Sequence, residues 1–166
     1  MTKKEPSFLT ETGKKSLTRI DFADTFSTTN HSNTLQEVTL LIFDQLPTFI
    51  NFLFKLRNFL VKFIGLKSSP IPDSTPFAVG NNLGIFKIYG IYENEVLLGA
   101  NDSHLNFRAT VFNSQEKEYN IKVTTLVEFN SRKGRFYMFL IGPFHKLVVR
   151  VLINQAYEGN TKRTLK

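Results

Sequence analysis

Between Gly84 and Ile141 the chain is written largely in period two, in segments parted by short polar turns, and that pattern leaves few folds open. Successive side chains on a strand point to opposite faces, so an alternating segment lays one face on a core and turns the other outward. The segments run from Gly84 to Tyr92, Val96 to Phe112, Ile121 to Phe129 and Arg135 to Ile141. Glu93-Asn94-Glu95, an acidic-polar turn before Ile121, and Asn130 to Gly134 separate them. Connections this short join antiparallel neighbours, because a parallel pair needs a crossover of a dozen residues or more. An antiparallel meander is expected, with Gly99 to Asp102 able to bend or bulge its second segment.

Upstream, Ile20 to Thr29 alternates loosely enough for an edge strand, and Asn30-His31-Ser32-Asn33 forms a loop able to cap a helix starting near Leu35. Pro47 suits the first turn of a longer helix reaching about Ile64 and closed by Gly65. In it Asn51, Lys55, Asn58 and Lys62 make one polar stripe, while Phe49, Phe52, Leu53, Leu56, Leu60, Phe63 and Ile64 cover much of the remainder. At about 100° per residue, Arg57 points roughly 130° from the centre of that stripe, onto an apolar face where it needs a partner. Lys67 to Asn82 is rich in Ser, Pro, Asp and Asn and reads as a loop. At the other end Gly142-Pro143 ends the sheet, and Phe144 to Tyr157 places Phe144, Leu147, Val148, Val151, Leu152 and Gln155 on one helical face, a terminal helix packed back on the strands. There are no internal repeats.

Composition supports one core: 166 residues, 42% hydrophobic and 13% aromatic, fit one domain. The expected division is a flexible basic tail over 1–19, one domain over 20–158 and a basic tail over 159–166. Seventeen phenylalanines without cysteine describe a Phe-rich interior that excludes disulfides, thiolate nucleophiles and cysteine-held metals. The net charge of +7 gathers partly at the ends, in Lys3, Lys4, Lys14, Lys15 and Arg19 and in Lys162, Arg163 and Lys166, which read as solvated residues. Basic and aromatic residues do not interleave as a nucleic-acid surface requires, so no nucleic-acid partner is expected. No apolar stretch of signal-peptide length precedes Asp21, and charges and Pro47 interrupt Leu35 to Leu66, so a cytoplasmic chain without a membrane span is expected.

The chemistry-bearing run is Asp102-Ser103-His104-Leu105-Asn106-Phe107-Arg108. Read as one strand, it sets Asp102, His104, Asn106 and Arg108 on one face and Leu105, Phe107, Ala109 and Val111 on the other. Arg57, Asp102, His104, Arg108 and His145 are the candidate ligand-binding residues. Imidazoles titrate near neutrality and could move protons, while two guanidiniums could hold an acidic group through paired hydrogen bonds. The plainer alternative pairs Arg57 with Asp102 or Asp24 as a scaffold bridge, leaves Arg108 and His104 in solvent and makes His145 a support of the last helix. No metal is expected, because the arginines would repel a cation and a second carboxylate is missing. A triad through Ser103 is disfavoured, since its side chain points away from both neighbours. The aromatic residues Phe49, Phe52, Phe59 and Phe63 read as core unless the sheet is wide enough to leave a cavity.

Asp21-Phe22-Ala23-Asp24, Leu56-Arg57-Asn58 with Gly65-Leu66-Lys67, Gly99 to Arg108, and Gly142-Pro143-Phe144-His145 through Arg150 resemble the DUF2867 family of bacterial proteins. That family is similar in outline to the Bet v 1-like or START-related superfamily. The resemblance implies an α+β helix-grip fold: a curved antiparallel sheet, two helices after the first strand and a long C-terminal helix. It also implies hydrophobic-ligand binding or a cyclase-like reaction. Related domains fused behind nucleotide-binding oxidoreductase domains imply an accessory role, but Gly80-Asn81-Asn82-Leu83-Gly84 lacks the spacing and following helix of a dinucleotide fingerprint, so no cofactor is expected. Three functions stay open: binding of a small apolar or weakly acidic molecule between sheet and C-terminal helix, a cyclase or isomerase using His104 or His145 as acid or base with Asp102 orienting it, and a ligand-free interaction module.

Overall fold

The expected meander forms the larger part of the sheet in the computed structural model, which describes residues 1–44 and 75–158. In chain order the elements are β1 (Lys3–Glu5), α1 (Glu11–Lys15), β2 (Phe22–Thr28), α2 (Leu35–Phe43), β3 (Asn82–Leu83), β4 (Phe86–Ile91), β5 (Glu95–Asn101), β6 (Leu105–Asn113), β7 (Ile121–Phe129) and α3 (Arg132–Gln155). One curved antiparallel sheet runs β1-β2-β7-β6-β5-β4-β3, giving an α+β fold with short helices and a long C-terminal helix. The longer helix expected over 47–64, with Arg57, lies outside the described residues.

Four expectations are corrected. β2 is not an edge strand: Lys4 pairs with Phe26 on one side and Val123 pairs with it on the other. The segment Val96 to Phe112 is two strands, because Asp102-Ser103-His104 turns the chain; the Asp102 amide donates to the Leu105 carbonyl at 2.9 Å and the Ser103 amide to Asp102 Oδ1 at 2.6 Å. Arg135 to Ile141 is not a strand but part of α3. There Gly134, Tyr137 and Met138 are buried while Arg135, Phe136 and Phe139 are exposed, a helical rather than an alternating distribution. Ser131 caps that helix by accepting from the Gly134 amide, and Pro143 falls inside it instead of ending a sheet. Finally, residues 1–19 are not a free tail: β1 joins the sheet, and the chain after it crosses the sheet's outer face.

α2 begins where expected, although its cap is Thr34, which exchanges hydrogen bonds with Glu37 in a capping box. Asn30 holds the loop before it by accepting from the Ser32 and Asn33 amides.

Register divides the sheet into two faces. The inner face carries Phe22, Asp24 and Phe26 of β2, Thr125 and Val127 of β7, Phe107, Ala109 and Val111 of β6, and Val96 and Leu98 of β5. α2 and α3 cover it. The outer face carries Thr25, Thr124, Thr110, Arg108 and Glu95, and the N-terminal segment lies on its middle: the Phe8 ring meets Phe112 at 5.2 Å, and the buried Glu95 accepts hydrogen bonds from Thr10 and Thr12. The inner face and the middle of the outer face are thus covered, which explains why residues from Thr25 to Thr28 and from Leu105 to Val111 are largely buried without strict alternation.

Candidate functional site

α3 touches the rest of the fold through two apolar ends and a polar middle. Near its start, Tyr137 and Met138 pack with Leu105, Val127 and Phe129; near its finish, Leu152 and Ile153 join Phe26, Val38, Ile42, Val111 and Val123. Between them, His145 Nε2 lies 3.5 Å from Oδ1 of Asp24. Asp24 is 5% exposed, and its Oδ2 has no hydrogen-bond partner among the described residues. A buried carboxylate oxygen without a partner costs free energy in proportion to its lost hydration, so its position calls for a donor.

The register sets small side chains beside Asp24. Asp24 pairs with Thr125, which pairs with Ala109, so the row beside the carboxylate carries small side chains. The next row places Phe22, Val127 and Phe107 alongside, and the Phe107, Phe86 and Phe43 rings continue edge-on at 5.6 and 4.8 Å. Phe22 meets the His145 ring edge-on at 6.2 Å. Ile141, His145, Val148 and Val149 in the middle of α3 are only partly buried, although both ends of the helix's inner stripe are fully so.

The candidate residues read from the sequence fall in three places. Asp102 and His104 form the β5–β6 turn, where His104 Nδ1 is 3.4 Å from Asp102 Oδ1, as an orienting carboxylate would be. His104 is 2% exposed, however, packed edge-on against Tyr137 at 5.1 Å, and its carbonyl accepts from the Asn130 amide. It braces the start of α3. From Tyr137 to His145 the helix rises about 12 Å at 1.5 Å per residue, so the two histidines stand two turns apart.

Arg108 lies on the outer face, across the sheet from His145. Its side chain folds over Gly99, its partner on β5, where a Cβ would collide with it. The guanidinium stacks 4.1 Å from the Tyr89 ring and donates to Asn101 Oδ1 at 2.8 Å, while burial pushes its pKa below the ordinary value. The expectation that Arg108 stands in solvent or shares a pocket with His145 is therefore corrected: it is buried structure on the far side. Arg57 lies outside the described residues. Of the four candidates among the described residues, His145 alone is placed against the buried Asp24, which the sequence offered only as a partner for Arg57. The usable signal was an aspartate between Phe22 and Phe26 on the face where both are apolar.

No group of three or more metal-ligating side chains occurs among the described residues. A curved antiparallel sheet carrying a long C-terminal helix, with a partly buried histidine set against a buried aspartate between them, defines an α+β protein. The chain belongs to the DUF2867 family, described as proteins of unknown function, whose sequence pattern matches residues 16–152. No curated protein and no solved structure matches it.

Proposed function

We propose that the chain binds a small, largely apolar molecule between the inner face of the sheet and α3, with a hydroxyl or other neutral donor set against Asp24. The observation that carries this reading is the buried, unpartnered Oδ2 of Asp24 beside small Thr125 and Ala109 and flanked by partly buried phenylalanines. Sites of this kind combine apolar walls with a few convergent polar groups. Among the described residues an acidic ligand is less well served: the nearest charge is a carboxylate, and Arg108 is on the other face. The 3.5 Å contact of His145 with Asp24 supports a second reading, in which the imidazole moves a proton on the bound molecule as an isomerase or cyclase requires.

The test uses the full chain and the neutral fluorescent probe N-phenyl-1-naphthylamine, with native mass spectrometry for any co-purifying molecule. Saturable one-to-one binding, displaced more readily by a long-chain alcohol than by the matching fatty acid, is expected. Asp24→Asn should weaken the alcohol about tenfold, the worth of one hydrogen bond to a charged group. Absence of saturable binding, or binding indifferent to both Asp24→Asn and Ala109→Phe, overturns the reading.

A further inference from the structure

The side of α3 turned away from the sheet is apolar and uncovered among the described residues. Phe136, Phe139, Phe144 and Leu147 are all exposed, Phe139 by 78%, and at about 100° per residue Phe136, Phe139 and Leu147 fall within one arc with Phe144 at its border. Single exposed apolar residues are ordinary; a contiguous aromatic patch on one helix is an interaction surface. Its frame is basic. Arg132, Lys133, Arg135, Lys146 and Arg150 are exposed, and α3 contains no aspartate or glutamate.

One end of this face opens on a cleft of about 280 Å³ lined by Arg19, Arg132, Arg135 and Ser131. Arg132 and Arg135 each stand one turn before a member of the patch, Phe136 and Phe139. Arg19 is engaged by Asp21, but Arg132 and Arg135 face no carboxylate within ion-pair distance among the described residues.

We infer that this face of α3 docks in plane on an anionic phospholipid surface, with its phenylalanines at the headgroup–acyl boundary and its arginines on the lipid phosphates. An interfacial helix has this composition: aromatic and aliphatic residues on one face, basic residues beside them and no acid to oppose the membrane's charge. By length and composition α3 also meets the requirement for a span, and among the described residues it is the one helix that does. Five cations along it and its packing through Tyr137, Met138, Leu152 and Ile153 favour lying on the surface over crossing it. The inference is independent of what occupies the sheet's inner face.

The test is flotation of the full chain with vesicles of phosphatidylcholine alone or mixed with phosphatidylglycerol. Binding to the mixed vesicles, weak on the neutral ones and falling as salt rises, is expected. Lys146→Gln and Arg150→Gln should each weaken it about fivefold, the roughly 1 kcal/mol a basic residue contributes near such a surface. Phe139→Ser, at an exposed position that leaves the core intact, should weaken it at least tenfold while the thermal unfolding transition is unchanged. Equal binding to both vesicles, resistance to alkaline extraction as of a spanning helix, or a concentration-dependent dimer lost in Phe139→Ser overturns the inference. So does a monomer that binds neither vesicle.

Discussion

Asp24 on β2 and His145 on α3 meet at 3.5 Å in the middle of an interface whose two ends are apolar, so the carboxylate stands where packing alone would place a hydrophobic side chain. Buried charge retained against that preference is a mark of function more often than of stability. Asp24→Asn keeps the shape and removes the charge; it is expected to stabilise the fold by about 1 kcal/mol in chemical denaturation. A loss of similar size would make Asp24 part of the scaffold.

Gly134 lies in the first turn of α3, and a Cβ there would overlap the His104 carbonyl oxygen, a backbone atom that cannot swing away. Alanine is the better helix former by about 1 kcal/mol, so propensity and packing disagree in sign. Packing should win: Gly134→Ala is expected to lower stability by about 2 kcal/mol, and the shift should show in the His104 and Tyr137 ring resonances.

Glu95 is buried on the outer face and receives the hydroxyls of Thr10 and Thr12, tying the N-terminal segment to β5. Glu95→Ala removes the acceptor and should cost about 2 kcal/mol. Hydrogen exchange should then speed up over residues 8–15 well before the strands respond; uniform exchange across the sheet would show that the segment is not separately attached.

The Asp21 carboxylate is held below the ordinary aspartate range, first by the hydrogen bond from Arg19 and then by the Phe129 amide. A lowered native pKa means the ionised group stabilises the fold at all pH values above the ordinary one, near 4, and that this contribution fades as pH falls through the lower native value. Asp21→Asn should therefore be less stable than the natural chain at neutral pH and converge with it in acid. Parallel stability curves down to about pH 2 would remove Asp21 from the end of β7 as an electrostatic anchor.

Much of the fold was legible because its signals are local. Alternation marked the strands, the short connections made them antiparallel, and the position of α2 followed from a polar loop before an apolar run. The site was less legible. The run from Asp102 to Arg108 alternates in sequence, yet a turn takes its first residues out of the strand, and Arg108 folds over Gly99 away from α3. The membrane-compatible length of α3 was hidden for a related reason: dividing it at Gly142-Pro143 into strand and helix left neither part long enough to span.

What the sequence by itself determined is the set of faces: which residues share a side of a strand, and that a basic, phenylalanine-rich chain builds an antiparallel sheet with a terminal helix. Only the tertiary structure decided which face looks inward. Period two assigns side chains to two sides without naming either, and here the N-terminal segment buries part of one as α2 and α3 bury the other. Burial could not be inferred from polarity when Arg108, Glu95 and Asp24 are all buried, and each acquires its meaning from what was folded against it.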